Sequence, residues 1–513
     1  MSRPCLIRRC VLWLFVGMLG GPAQGPEVIG QDAALPIAGE FQQNLIQAIS
    51  QTEGAVVAIA RVLPEDIQRD PEQRNPFRFR SVVTPADPGF IPREFATGVI
   101  LAREGDNARF VLTPRHVVMG SALRKKNGHP EALFFVRLAS RNVVAATLYN
   151  QDERSDLAVL KLELEGSGLT VEQVPVMPLG AGESLKKGQL IVGLGNPYAI
   201  ARDGSASVSL GMISNLSRRP VEGETENETG EESGTIFEYG ALLHVDLRLQ
   251  LGTSGTAIVD LQGKLVGLGT SLAALRGYES SAGFAIPLDA DVRRIVKALL
   301  DGHEVEYGFL GVRPDDIQLA GVLDADGQPL PPSAAVLVSV AEDSPADQAG
   351  LQRGDCILAV SGQPVLGNSD LMLRVGLLGP ETEAQLSVWR PRTRNRSEVA
   401  VRLGKWPVYD DSSIIAPQLR HPAWRGLRVD YCTSRRRFMP AHLTSRYPRA
   451  VVVTAIEENS PAARAGLNVG DFIRQVGREP VQTPHEFHDA VESRDGVVLL
   501  QLDDGRMVEI TAE

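Results

Sequence analysis

The sequence has few cysteines, few aromatic residues and no surplus of basic residues. It holds four cysteines in 513 residues, and two of them, Cys5 and Cys10, lie at the very N-terminus. The other two, Cys356 and Cys432, provide neither a disulfide framework nor a Cys-x-x-Cys metal site. Lys and Arg total 52 against 63 Asp and Glu. The resulting net charge of −11 argues against a nucleic-acid partner, which requires a basic face.

An apolar run near the N-terminus is short. It extends from Val11 to Leu19, follows Arg8 and Arg9, and leads into small residues around Ala23. A membrane-spanning helix needs ~20 apolar residues, so the pattern predicts a removable signal peptide over residues 1–25. We therefore expect an exported protein, periplasmic or otherwise extracytoplasmic. The export route, Sec or twin-arginine, stays open.

The remaining chain is too long for one hydrophobic core, because single cores stop growing near ~250 residues. Apolar residues at helical spacing predict a helix over residues 40–53. From residue 55 to about residue 287 short β-rich runs alternate with turn residues, which indicates a mainly β barrel or sandwich. A helix is predicted to follow over residues 289–300.

An internal repeat organises the C-terminal half. A twelve-residue segment that begins at Ser344 recurs 116 residues later at Ser460, with eight identical positions. In each copy a serine suits a helix N-cap, a proline suits the first turn and a glycine suits the helix end. Each copy is thus predicted to be a strand, a one-turn helix, a tight turn and a strand. The repeat therefore predicts two tandem modules of about a hundred residues each.

Three residues in the β-rich region are candidate catalytic groups. His116 ends an apolar run, Asp156 opens another 40 residues later, and Ser254 lies before Gly255 a further 98 residues on. Each residue alone would fit an ordinary strand end or turn. Their order, however, is that of the chymotrypsin-like arrangement, and it excludes the α/β-hydrolase order in which the histidine comes last.

The residue types fit acyl transfer. A serine hydroxyl is a poor nucleophile, so a neutral imidazole must accept its proton and a carboxylate must hold that imidazole in the correct tautomer. Ser254, His116 and Asp156 are expected in these roles. The backbone N–H groups of Gly252 and Ser254 are the expected oxyanion hole, because a residue without a side chain lets the peptide turn inward.

With these motifs in place, the chain resembles the HtrA (Deg) family of trypsin-like proteases. The likeness rests on the triad, on both repeats and on three further segments, 193–198, 209–214 and 283–287. It implies a chymotrypsin-like double β-barrel followed by two PDZ domains. The implied boundaries are residues 40–303 for the protease, 304–405 for the first PDZ domain, 406–420 for a linker and 421–513 for the second PDZ domain.

The resemblance also implies an activity and partners. We hypothesise an ATP-independent endopeptidase that degrades unfolded or misfolded exported proteins, and the resemblance alone implies a homo-oligomer based on trimers. No cofactor is expected, since the sequence shows neither metal ligands nor a nucleotide motif. PDZ domains bind peptide C-termini or extended segments by strand addition, with a glycine-containing loop that captures the carboxylate. The expected peptide-binding residues are Phe309, Leu310, Gly311 and Val312 in the first module, and Trp424, Gly426 and Leu427 in the second. The sequence leaves the role of Arg425 in the second loop open.

The sequence departs from the family pattern beside both catalytic residues. Pro114 and Arg115 replace small residues before the histidine, and Thr253 and Thr256 replace Asn and Gly around the serine. An alternative hypothesis is therefore a peptide-binding scaffold or holdase with little protease activity. Reaction with an active-site serine probe discriminates between the two hypotheses.

A single arginine bears on substrate preference. Arg248 falls near the base of the expected S1 pocket, where the family prefers Val or Ala at P1. An inward side chain would favour acidic P1 residues, whereas an outward one would leave the aliphatic preference intact. Two basic clusters, at residues 390–396 and 435–437, are predicted to be solvated turns.

Overall fold

A computed structural model describes residues 31–512, with only the backbone described at residues 31–38 and 218. The ranges it leaves out are 64–91, 93, 120–131, 197–203, 219–235, 237–239, 248–251, 253, 271–282, 410, 412–413, 440–446 and 493. The predicted signal peptide, Arg248 and Thr253 lie outside the described residues. The chain divides into a unit of residues 1–46 and a unit of residues 47–513. No helix of the described chain is both long and apolar enough to cross a membrane.

The N-terminal half of the second unit holds two closed β-barrels with the same strand order. Helix α1 (Gln31–Thr52) precedes them. The first barrel has the order β1-β2-β3-β6-β5-β4. Its strands are β1 (Val56–Val62), β2 (Glu94–Ala102), β3 (Arg109–Pro114), β4 (Leu133–Arg137), β5 (Val143–Asp152) and β6 (Leu157–Leu162), and helix α2 (Arg115–Met119) follows β3 directly.

The second barrel repeats this connectivity with the order β10-β11-β12-β9-β8-β7. Its strands are β7 (Leu190–Gly195), β8 (Ser207–Arg218), β9 (Leu242–Val245), β10 (Ala257–Val259), β11 (Leu265–Thr270) and β12 (Gly283–Pro287). Most strand residues in both barrels are buried, because a small barrel fills its interior with side chains. The predicted double β-barrel is confirmed.

Helix α3 (Ala290–Leu300) closes the barrel region. Asp289 caps it by accepting a hydrogen bond from the Val292 N–H at 2.9 Å. Its apolar face, which includes Ile295 and Leu299, is buried. The helix contacts β5 and β6, so the chain leaves the protease region beside the first barrel.

The first repeat module begins and ends in a short two-stranded neck. β13 (Gly308–Phe309) pairs antiparallel with β20 (Gly404–Lys405). Between them the sheet has the order β14-β15-β16-β18-β19, with β17 beside β16. These elements are β14 (Val312–Gln318), β15 (Ser333–Val340), α4 (Pro345–Gln348), β16 (Cys356–Val360), β17 (Gln363–Pro364), α5 (Asn368–Leu378), β18 (Glu383–Arg390) and β19 (Asn395–Arg402).

The second module has the same topology. Its sheet order is β21-β22-β23-β25-β26, with β24 beside β23. The elements are β21 (Leu427–Tyr431), β22 (Val451–Ile456), α6 (Pro461–Arg464), β23 (Phe472–Val476), β24 (Glu479–Pro480), α7 (Pro484–Glu492), β25 (Val498–Leu502) and β26 (Met507–Ile510). Ser344 and Ser460 cap the one-turn helices α4 and α6 as the repeat predicted.

A largely buried cluster of charges joins the two ends of the first module to the start of the second. The Lys405 ammonium contacts Glu304 at 3.0 Å, Glu306 at 3.1 Å and Asp430 at 3.0 Å. Arg435 contacts Glu304 at 2.7 Å, and Arg420 contacts Glu306 at 3.1 Å. We call these six residues the ion cluster. The prediction of a solvated turn was wrong for Arg435, because acidic partners 5 and 131 residues away in the sequence bury it.

Candidate active site

The two barrels bring the three predicted catalytic side chains together. His116 lies in α2 and Asp156 immediately before β6, so both belong to the first barrel, whereas Ser254 precedes β10 in the second. The Asp156 Oδ2 atom lies 2.7 Å from His116 Nδ1, and His116 Nε2 lies 3.1 Å from Ser254 Oγ. Residues separated by 138 positions thus form one continuous chain of contacts.

Both carboxylate oxygens of Asp156 contact His116. Its Oδ1 atom accepts a hydrogen bond from the His116 backbone N–H at 2.9 Å, while Oδ2 faces the ring. The Asp156 carbonyl accepts another from the Arg115 N–H at 2.7 Å. A carboxylate at Nδ1 favours the tautomer that carries its proton there, which leaves Nε2 as an acceptor facing the serine hydroxyl.

The loop around Ser254 depends on glycine at two positions. Gly252 and Gly255 have φ values of +83° and +89°. A Cβ atom on Gly255 would lie 1.9 Å from the Thr97 carbonyl oxygen, so no larger residue fits there. This contact explains why a glycine directly follows the serine.

Thr97 in β2 ties this loop to the first barrel. Its N–H donates to the Ser254 carbonyl at 2.9 Å, and its hydroxyl donates to the Gly252 carbonyl at 3.3 Å. The hydroxyl also accepts the Asn196 N–H at 2.9 Å. Sequence reasoning missed Thr97, since a threonine in a β-strand carries no signal beyond ordinary strand preference.

The departures from the family pattern leave the triad contacts intact. Arg115 is buried, and its guanidinium lies 3.7 Å from the Glu153 carboxylate. Thr256 is also buried, and a Cβ on Gly195 would come within 2.5 Å of its hydroxyl oxygen. The Thr256 side chain is therefore accommodated because Gly195, which lies opposite its hydroxyl, has no Cβ.

The two predicted carboxylate loops differ in backbone conformation. In the second, the Leu427 N–H donates to the Trp424 carbonyl at 2.8 Å, and Arg425 between them is left-handed with a φ of +50°. The corresponding residue of the first loop, Leu310, is not left-handed. Gly311 of the first loop bonds through its carbonyl to the Ala341 N–H at 3.0 Å.

Arg425 itself has a structural role that the sequence left open. Its guanidinium donates to the carbonyls of Ile510 at 2.7 Å and Arg494 at 3.1 Å. It also lies over the Trp424 ring, with 4.7 Å to the centroid. Both contacts turn the side chain back onto its own module.

Within the described chain, no group of three or more His, Cys, Asp or Glu side chains is arranged to hold a metal ion.

A family model described as a trypsin-like peptidase domain matches residues 96–268, and one described as a PDZ domain matches residues 336–371 and 452–503. A probable periplasmic DegP-like serine endoprotease of Pseudomonas fluorescens is 27% identical over 512 residues, which cover 95% of each chain. The chain thus carries a trypsin-like peptidase domain and PDZ-domain sequence, and it is similar to proteins named serine endoproteases. The family resemblance and the enzyme class predicted from the sequence are confirmed.

Other relatives of this chain carry similar names. A probable periplasmic DegP-like serine endoprotease of Hahella chejuensis is 29% identical over 400 residues, which cover 77% of this chain and 74% of that protein. A probable periplasmic do/HhoA-like serine protease of Haemophilus influenzae is 27% identical over 414 residues, covering 80% and 76%. The solved structure of the HtrA-type protease AlgW with a decapeptide is 23% identical, has a TM-score of 0.46, and covers 71% of this chain and 99% of that one.

Proposed function

We propose that this endoprotease hydrolyses peptide bonds of unfolded or misfolded exported proteins through an acyl-enzyme on Ser254. The observation that carries the proposal is the continuous contact from the Asp156 carboxylate through the His116 ring to the Ser254 hydroxyl, at 2.7 and 3.1 Å. Both distances are within hydrogen-bond range, so the proton transfer needs no rearrangement of the three side chains.

In this mechanism the three side chains and two backbone groups act in sequence. His116 Nε2 accepts the proton of the Ser254 hydroxyl as its oxygen attacks the scissile carbonyl carbon. The backbone N–H groups of Gly252 and Ser254 stabilise the negative charge that develops on the carbonyl oxygen. His116 then gives the proton to the leaving amine, and a water molecule releases the acyl group by the same sequence in reverse. Asp156 stays ionised and holds the imidazolium.

The PDZ domains supply peptide binding in this proposal. Phe309, Leu310, Gly311 and Val312 lie where β13 leads into the edge strand β14, as strand addition requires. In the second module the Leu427 N–H is bonded to the Trp424 carbonyl, so in the loop of Trp424, Gly426 and Leu427 this donor is already engaged. We therefore assign capture of peptide C-termini to the first PDZ domain.

Location and assembly are proposed on the relatives. Several are named periplasmic serine endoproteases, which supports export to the periplasm after removal of residues 1–25. We propose a trimer-based homo-oligomer on the family resemblance. The acyl-transfer chemistry proposed here draws on side chains and backbone groups alone, so no cofactor is part of the proposal.

Casein cleavage by the signal-free protein tests the mechanism. Ser254→Ala and His116→Ala should each abolish cleavage, because each removes one member of the proton-transfer chain. Ser167→Ala is the matched control, since Ser167 is exposed and bonds only within its own turn. If the parent is inactive even with a PDZ-binding peptide added, the peptide-binding scaffold is the better account.

A further inference from the structure

The neck of the first PDZ domain lies against the turn that presents Asp156. This turn, residues 152–156, joins β5 to β6, and we call it the aspartate turn. Tyr307 immediately precedes β13 and Trp406 immediately follows β20, and the Trp406 N–H donates to the Tyr307 carbonyl at 2.7 Å. The two ends of the domain are thus bonded to each other, and both reach the aspartate turn.

Tyr307 holds the first residue of the aspartate turn. Its hydroxyl donates to Asp152 Oδ2, and the same oxygen accepts the Ser155 N–H at 2.8 Å. Tyr307 is 2% exposed, and burial raises its pKa, so the hydroxyl stays protonated as a donor. The Asp152 carboxylate therefore links a side chain of the PDZ neck to the backbone one residue before Asp156.

Arg154 holds the middle of the aspartate turn. Its guanidinium lies over the Trp406 ring at 4.4 Å and near the Tyr307 ring at 5.7 Å, and it donates to the Pro407 carbonyl. The Arg154 carbonyl accepts the Ile236 N–H at 2.7 Å. The neck thus contacts the turn at two residues, Asp152 and Arg154, and both contacts involve side chains rather than regular strand pairing.

The backbone at Asp156 needs such support. Asp156 has a φ of +51°, a left-handed conformation that residues other than glycine adopt at a cost, and which persists only where the surroundings fix it. The Asp156 carbonyl bonds to Arg115 and its carboxylate bonds to His116, so both sets of contacts depend on this backbone conformation. A turn that relaxed to a different φ would therefore move the carboxylate away from His116 Nδ1.

We propose that Tyr307 and Arg154 are positioning residues for catalysis, through which the neck of the first PDZ domain fixes the aspartate turn and hence the catalytic carboxylate. The proposal rests on the proposed function, since it assumes that Asp156 orients His116. It makes the first PDZ domain part of the working protease rather than a separable peptide-binding attachment.

Tyr307→Phe in the full signal-free chain tests this proposal. The variant loses only the hydroxyl, so kcat for a short chromogenic peptide should fall roughly ten- to hundredfold, as expected when a catalytic group is misplaced. KM should stay within about twofold, because the substrate contacts are unchanged. Arg154→Met loses the charge but keeps an unbranched side chain. It should likewise lower kcat and leave KM within about twofold of the parent.

Tyr431→Phe is the matched control. Tyr431 is also buried, and its hydroxyl donates to the Glu381 carboxylate at 2.6 Å, remote from the aspartate turn. Its kcat should stay within about twofold of the parent even if its melting temperature falls as far as that of Tyr307→Phe. All variants are assayed well below their melting temperatures, which separates loss of positioning from loss of folded protein.

Two different failures can be told apart. If Ser254→Ala still hydrolyses the peptide, the proposed function fails and this inference fails with it. If Ser254→Ala is inactive while Tyr307→Phe and Arg154→Met keep the parental kcat, the triad stands and only the positioning role is overturned. Equal losses of kcat in Tyr307→Phe and Tyr431→Phe would also overturn it, because they would indicate a general effect of stability.

Discussion

The ion cluster provides a strong test of how the two PDZ domains are held together. Lys405→Met removes an ammonium group that contacts Glu304, Glu306 and Asp430, and it keeps an unbranched side chain in the space. The Lys405 side chain is only 2% exposed, so water has little access to the carboxylates left behind. Removal of one partner from a buried charge pair costs about 3–5 kcal/mol, and we expect a loss of that size.

The loss should depend on pH in a defined direction. Burial, opposed by Lys405, already raises the pKa of Asp430 above its ordinary value. Without the Lys405 ammonium that pKa rises further, so the folded variant binds a proton more tightly than the unfolded chain does. Its destabilisation should therefore shrink as the pH falls below neutral and grow as the pH rises.

Urea unfolding followed by tryptophan fluorescence measures the effect, with Trp406 next to the substituted residue. Lys297→Met is the matched control, because Lys297 pairs with Asp301 at 2.8 Å but is 68% exposed, and it should cost no more than about 0.5 kcal/mol. Adding Asp430→Asn to Lys405→Met rebalances the charges and should recover part of the loss. Equal unfolding midpoints for Lys405→Met and Lys297→Met would refute the reasoning.

Two further predictions concern the Ser254 loop and the second PDZ domain. Thr97→Val removes the hydroxyl bonded to Gly252 and should lower kcat about tenfold, whereas Thr97→Ser should not, as initial rates will show. Burial and the neighbouring His421 and His485 lower the pKa of His488 to about 4. As the pH falls below about 6.5, His488 therefore becomes protonated in the unfolded chain while it stays neutral in the folded protein. Stability should fall from pH 6.5 toward pH 4, by no more than about 2 kcal/mol given partial exposure, and His488→Gln should flatten that slope in thermal melts.

Much of the architecture could be predicted because its signals are local. The Ser-Pro start of each repeat encodes a helix cap within four residues, and both α4 and α6 begin there. Asp289 likewise caps α3 as its position suggests. The order of His116, Asp156 and Ser254 identified a candidate site because three residue types in a fixed order carry more information than any one of them.

The contacts between domains could not be predicted because they depend on partners far apart in sequence. Arg435 looked like part of a solvated basic turn, yet its carboxylate partner Glu304 lies 131 residues earlier. The linker at residues 406–420 looked like an ordinary Pro-containing connection, yet Trp406 packs under Arg154. No periodicity or motif marks such pairs, since only the folded chain brings them together.

Peptide mapping of the fluorophosphonate-labelled protein by mass spectrometry tests the central claim most directly. If Ser254 is the nucleophile that His116 activates, a single adduct should appear on the peptide that contains Ser254, and Ser254→Ala should carry none. An adduct on another serine of the parent, or none at all with the protein folded and a PDZ-binding peptide present, would contradict the account.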